Sequence, residues 1–599
     1  MLGARVRTGD LPPVAERLPC EPNVVTPREA IGRYGGTMAI AIPGESSTDV
    51  KDLVYPNLFS YSPDLQRIEA RIARSYTVSD DYRTWTIHLR PGTKWSDGHP
   101  LTTDDILFWW EDVEMRDGRA PALYKIDNQP CRIEKVDDST FRFIFASPNP
   151  GFTSWFQGRN NSRLIRFPKH YLKQFHPTYN PNAEQRAREA GFTDWEQYFK
   201  YMATDDGWNQ NMELPRLFPW LLKRTTPSYQ IYERNPYFCQ VDTKGNQLPY
   251  IDELLVMRCE NESMVVTKVA FGQVDLCGAA LDITAYPLVK SLEKKSGMRT
   301  YLFKSTRSTA LGWAFNLNSP DPVKRKVFQD LRFRRAVSLA IDRDEINRII
   351  FYGKAEPRQA APLPMVVYFK EEWARSYAEH DPQKANRMLD DVGLMWDDNH
   401  RWRLGPDGEP FRINFEYANI EGPKTAICEL MKDHLADIGI NLHLKSRSKS
   451  YIHTRHWSKE PDVYAFHIDS PTTYFRSSLL LPYRKGRRGI PGFDWADWLE
   501  SDGEEGEEPP GDIKRWYRLG QQWRVETDEA KSRKLIQEIF DMQAENLYRI
   551  GTVGAEPSPV AYDADLRNVP REGYWGWPLQ FWKGYNPAQF FFAVPQEDE

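Results

Sequence analysis

From about residue 310 to residue 470 the chain alternates between two kinds of text, and this alternation limits the fold more than any other feature. GWAFNLNS reads as a buried strand with polar ends. LRFRRAVSLAIDRDEINRIIFYG then predicts one long amphipathic helix, with Ala336, Leu339, Ala340, Ile346 and Ile350 near a 3.6-residue spacing. Asp381-Pro382 opens another helix, PQKANRMLDDVG, which Gly393 ends in the manner of a C-cap. FRINFEYAN is a strand, TAICELMKDHLADIGI a helix closed by Gly439, and INLHLKS the strand after it. PDVYAFHIDSP is one more strand that ends in a polar loop. Strand and helix in alternation predict an α/β fold.

The first half is more mixed. Residues 1–35 are Pro-rich and irregular, and YGGTMAIAIPG reads as a strand introduced by glycines. Residues 55–175 combine strands (TWTIHL, FRFIFA) with a helix beginning near Thr103, and 176–212 read as polar helix. One stretch here, GTKWSDGHPLTTDDILF, poses a chemical question. Asp97, His99, Asp104 and Asp105 can be read as an acid/base cluster or a hard-metal site. The local reading is punctuation. Pro91-Gly92 stops the preceding strand, Asp97-Gly98 is a turn dipeptide, and Pro100 holds His99 extended. Thr102, three residues before Asp105, has the spacing of a helix N-cap with an acid in the first turn.

Length and composition set outer limits. At 599 residues and 69.9 kDa the chain is too long for one core. A net charge of -5 offers no broad basic surface, so no nucleic-acid partner is expected. The longest apolar runs are far too short to span a bilayer. MLGARVRTGDLPPVAERLP has no apolar h-region, so no signal peptide is expected within this chain. The six cysteines show no CxxC spacing, which argues against zinc or dithiol chemistry and leaves one disulfide among Cys239, Cys259 and Cys277 open. ESDGEEGEEPPGD (500–512) reads as a solvated, partly mobile loop and RKGRR (484–488) as plain surface. The 20 Trp, 29 Tyr and 30 Phe exceed what a core alone needs, and flat aromatic faces in a cleft stack on sugars or peptide planes. GxSxG, HExxH and Walker-type text is missing, and no cofactor, metal or catalytic residue is expected.

The order of six segments resembles one family, the extracytoplasmic solute-binding proteins of ABC transporters for oligopeptides, dipeptides and nickel chelates. They are VSDDYRTWTIHLRPGTKWSDGHPLTTDDILFWWE (78–111), FPKHYL (167–172), GQVDL (272–276), FQDLRFRRAVSLAIDRDEI (328–346), HDPQKANRMLDDVGL (380–394) and ELMKDHLADIGINL (429–442). The resemblance implies a two-lobed α/β protein of the type II periplasmic-binding-protein kind, with an enlarged first lobe and the ligand in a cleft between lobes that close by hinge bending. It places the first lobe at 36–305 plus 549–599, with a subdomain at 55–212, and the second lobe at 306–548, after an extension at 1–35. It implies a periplasmic or extracytoplasmic monomer whose partner is a membrane permease. LPPVAERLPCEPNVV, NPYFCQVDTKGNQLPYID (235–252) and NPAQFFF (586–592) resemble a longer branch that includes binders of plant oligosaccharides. The solute expected is therefore an oligosaccharide or related sugar-containing molecule, with an oligopeptide as the alternative. A glycoside hydrolase or a receptor-linked sensor ranks below both.

In peptide-binding relatives an aspartate after a late second-lobe strand takes the ligand's α-ammonium, and Asp469 in PDVYAFHIDSPTTYF is its best match here. It would serve equally as an acceptor for sugar hydroxyls, or cap its own turn before Pro471. FEYAN ends a strand, which nominates Tyr417 and Asn419, against a simple strand-end turn. Trp457 is nominated as an aromatic platform, against a core or surface Trp. Glu45, Ser46 and Ser47 in GESSTD, and Trp208 in DDGWNQN, complete the candidate set from the first lobe. Trp313 and Asn316 are expected to be buried.

Overall fold

The computed structural model describes residues 2–44, 48–116, 120–127, 129–203, 211–420, 422–455, 457–472, 480–482 and 491–593. They form two compact units. One holds residues 1–281, 285–303 and 559–599, the other 282–284 and 304–558.

In the first unit, a four-stranded sheet runs in the order Trp220–Thr225, Tyr229–Arg234, Glu253–Cys259, Thr37–Pro43, with the last pair parallel. A second sheet, antiparallel throughout, has the order Ala73–Val78, Thr84–Leu89, Thr140–Ile144, Arg132–Asp137. The TWTIHL strand alternates half-buried and buried residues, so Trp85, Ile87 and Leu89 enter the core. There Trp85 meets Phe152 edge-on at 5.4 Å, and Phe152 stacks on Trp155 at 5.5 Å. Much of the tryptophan surplus is spent this way: Trp85, Trp95, Trp109, Trp155 and Trp220 are fully buried in this unit.

The Gly92–Phe108 segment is punctuation, as its local text predicts. Helix Thr103–Phe108 begins in a capping box, and Thr102 N–H donates to Asp105 Oδ2 at 3.0 Å. Asp105 also accepts from Lys169 N–H at 2.8 Å and from the Trp95 indole at 3.3 Å. Burial nevertheless pushes its carboxyl upward. Asp104 pairs with Lys135 at the surface.

The second unit has the alternating architecture. Strand Arg307–Phe315 lies between Val463–Asp469 and Ile550–Gly551, antiparallel to both. Arg412–Tyr417 and Asn441–Ser446 pair in parallel, joined through helix Lys424–Ala436, as a parallel pair requires a crossover. Gly393, at φ +88°, ends helix Pro382–Val392 as expected. Trp313 and Asn316 are buried, and Asn316 Nδ2 donates to the carbonyls of Lys459 and Pro461.

One expectation is corrected. The long helix of residues 331–353 is two helices, Leu331–Ala340 and Arg343–Ile350. Ile341 and Asp342 are extended between them, and Asp342 Oδ1 accepts from Glu345 N–H at 2.7 Å, so a new N-cap outcompetes continuation. The acidic 500–512 segment begins as an exposed loop, as expected, and is tied down at a few points. Glu507 N–H donates to Asp494 O at 3.0 Å, its carboxylate pairs with Arg325 at 3.0 Å, and Glu508 pairs with Lys514. RKGRR lies outside the described residues. All six cysteines are free thiols, five of them buried.

Candidate functional site

The carboxyl ends of strands are where α/β sheets offer loops to ligands. In the second unit three strand ends converge chemically. Arg307, at the start of its strand, is paired in register with Asp469, at the end of its own. Asp469 is half-buried. It accepts from Thr306 Oγ1 at 3.4 Å, with His467 Nε2 at 3.9 Å from its other oxygen. Arg307 Nη1 reaches Glu556 Oε1 at 3.4 Å. Glu556 is buried, and its Oε2 has no hydrogen-bond partner among the described residues. Burial pushes the Glu556 carboxyl up, and the neighbouring Arg307 opposes that shift.

Lys424 completes the group. It is buried at the first position of its helix, lies over the Phe466 ring at 5.8 Å, and donates to the carbonyl of Ile420. Gly422, at φ +121°, brings the loop beside the Arg307 guanidinium: a Cβ there would stand 3.5 Å from Nη1. Among the described residues, two cations and two carboxylates, with Phe466 and His467 beside them, make an array of donors and acceptors.

The nominated residues fall in different places. Asp469 belongs to this array. Tyr417 ends its strand as expected but is buried, its hydroxyl 3.2 Å from Thr425 Oγ1, and burial pushes its phenol up. Asn419 is exposed and its Oδ1 accepts from Thr425 N–H at 2.9 Å, the strand-end role weighed against a ligand role. Trp457 is 51% exposed just after helix Lys449–Arg455. That helix is anchored by Glu416, which takes Arg455 at 3.2 Å and Arg447 at 3.5 Å. Glu45, Ser46, Ser47 and Trp208 lie outside the described residues. Sequence reasoning did not nominate Arg307, Lys424 or Glu556. The sole signal for them was the position of Arg307 at the expected passage between lobes.

Among the described residues no helix is long and apolar enough to cross a membrane. The chain is 27% identical over 444 residues to the periplasmic alpha-galactoside-binding protein of Rhizobium meliloti (strain 1021), covering 67% of this chain and 60% of that protein. It is 22% identical over 398 residues to the periplasmic oligopeptide-binding protein OppA of Salmonella typhimurium (strain LT2), covering 63% and 62%. The chain thus matches about 60% of the length of these curated relatives. Among solved structures, an oligopeptide-binding protein OppA superposes with a TM-score of 0.74 at 33% identity, over 99% of this chain and 96% of that one. The binding protein MelB of Agrobacterium fabrum C58, in complex with stachyose, has the same fold with a TM-score of 0.74 at 20% identity, over 99% and 91%. The description "Bacterial extracellular solute-binding proteins, family 5 Middle" matches residues 67–486. The chain belongs to the family 5 bacterial extracellular solute-binding proteins.

Proposed function

We propose that this protein captures an oligosaccharide of the α-galactoside class outside the cytoplasm and delivers it, chemically unchanged, to the membrane permease of an ABC importer. The observation that carries the site is the array around Asp469. Arg307 pairs with Glu556, Lys424 lies near it, and the buried Glu556 Oε2 has no hydrogen-bond partner among the described residues. Such an array offers fixed donors and acceptors of the kind that bind sugar hydroxyls. Trp457 offers an exposed ring of the kind that stacks on sugar faces. The similarity to an alpha-galactoside-binding protein supports the same choice.

A second reading, an oligopeptide carrier, is favoured by the 33% identity to an oligopeptide-binding protein. There Asp469 would take the α-ammonium. Calorimetric titration and thermal shift with raffinose and stachyose, against mixed tri- to pentapeptides, separate the two. A ligand confined to the folded state at 100 times its Kd stabilises by about 2.7 kcal/mol. Sugar-only shifts are expected; peptide-only shifts reject the carbohydrate reading. Product analysis after long incubation with the bound sugar should recover it intact.

A further inference from the structure

The caps of the Gly92–Phe108 segment occupy Asp104 and Asp105 but leave two donors uncommitted to helix geometry, and the fold brings a third to them. His170, from the short helix Lys169–Leu172, places Nε2 2.8 Å from Asp97 Oδ2. The His99 ring lies on the His170 ring, with centroids 4.1 Å apart and planes 8° from parallel. One donor atom from each of Asp97, His99 and His170 falls within 4.8 Å of the other two. Two imidazoles and one carboxylate are a complete facial donor set for a first-row divalent ion, leaving the remaining positions to water.

The 2.8 Å between His170 Nε2 and Asp97 Oδ2 is the length of an ordinary hydrogen bond, so an ion enters by displacing the imidazole proton and drawing both donors onto itself. Parallel rings do not aim their lone pairs at one point, so His99 must turn its side chain to join. It is free to do so. His99 is exposed, and its ring makes no hydrogen bond among the described residues. Its backbone meanwhile is held, N–H to Asp97 Oδ1 at 3.1 Å and carbonyl from Trp95 N–H at 2.7 Å. That same N–H bond fixes the carboxylate so that Oδ2 points at His170. The neighbouring acids do not compete, Asp105 being held by three donors and Asp104 by Lys135.

We infer that Asp97, His99 and His170 form a surface site for a nitrogen-preferring divalent ion such as Cu2+, separate from the solute site. The ion would tie the Asp97 turn to the helix that carries His170. The test is titration of the tag-free full chain with CuCl2, read by calorimetry and by electron paramagnetic resonance. Wild type should take up one saturable equivalent with hyperfine structure from two imidazole nitrogens. His99→Ala, on an exposed side chain, should show one nitrogen and bind about tenfold or more weaker, with an unchanged Tm in the absence of metal. His170→Gln, whose amide can still donate to Asp97, should lose the other nitrogen. The inference is overturned by no saturable equivalent in wild type, or by a two-nitrogen spectrum that survives in either variant.

Discussion

Asp275, in the GQVDL segment, provides a prediction in which the sign is as informative as the size. Its Oδ2 accepts Ala39 N–H at 2.6 Å, and its own backbone exchanges hydrogen bonds with Ala39 O and Asp563 N–H. Burial, opposed by the Ala39 bond and aided by the nearby Asp563 carboxylate, pushes the Asp275 carboxyl up to about 6. An unfolded aspartate titrates near 3.9. A folded pKa above the unfolded one means that the native state binds the extra proton. Between roughly pH 4 and 6 stability therefore falls as pH rises, and above about pH 6 the full penalty remains. At about 1.4 kcal/mol per unit, a shift of about two units makes that penalty roughly 3 kcal/mol at neutral pH. Asp275→Asn keeps an acceptor for Ala39 N–H and removes the charge. Urea unfolding of wild type and variant at pH 4, 5, 6 and 7 gives the difference in stability at each pH. Other raised acids, including Asp105 and Glu556, are common to both proteins and cancel. The difference should move in the variant's favour by roughly 2–3 kcal/mol between pH 4 and pH 7, most of it below pH 6. A difference independent of pH, or one moving towards wild type, refutes the reasoning. Asp563→Asn should reduce the effect, because it withdraws the like charge.

Three other perturbations test the packing and the site. Gly272 sits at φ +65° with a virtual Cβ 2.1 Å from the Ser296 carbonyl, so Gly272→Ala should destabilise by more than about 1 kcal/mol and lower Tm; an unchanged Tm would contradict the close approach. Asp105→Ala strands two backbone N–H groups and an indole donor and should cost about 2–3 kcal/mol in chemical denaturation, whereas Asp104→Ala removes only a surface ion pair and should cost under about 1 kcal/mol; equal costs would count against the capping account. Arg307→Ala should weaken binding of the solute identified by calorimetry tenfold or more, about 1.4 kcal/mol, with Trp313→Ala as the contrasting core variant that lowers stability by about 3–5 kcal/mol; unaltered affinity in Arg307→Ala removes the Asp469 array as the site.

What was legible beforehand was local. Thr102 and Asp105 stand three residues apart, Gly393 follows an amphipathic run, and FRINFEYAN alternates with helix text. In the first two cases the partners lie within one turn of chain, so spacing alone states the hydrogen bond, and the strand is read from its own alternation rather than from its partner. Even at that range a competitor can be overlooked: Asp342 reads as one more polar position on a long helix, yet its short side chain caps a new one and breaks the old. The family, too, was readable, because six segments in order are a linear pattern.

The chain by itself thus determined the strand-helix alternation, several of the caps and the family. Only the tertiary structure decided which distant side chains meet. Arg307 and Glu556 are 249 residues apart, and His170 and Asp97 are 73 apart. Tyr417 and Asn419, nominated from a strand end, both meet Thr425. The physical reason is one of range. A cap or turn is set by dihedral angles over a few residues. The partner of a charged group depends on how loops of tens to hundreds of residues close and on which desolvated charges then need an opposite one, and no local spacing carries that information.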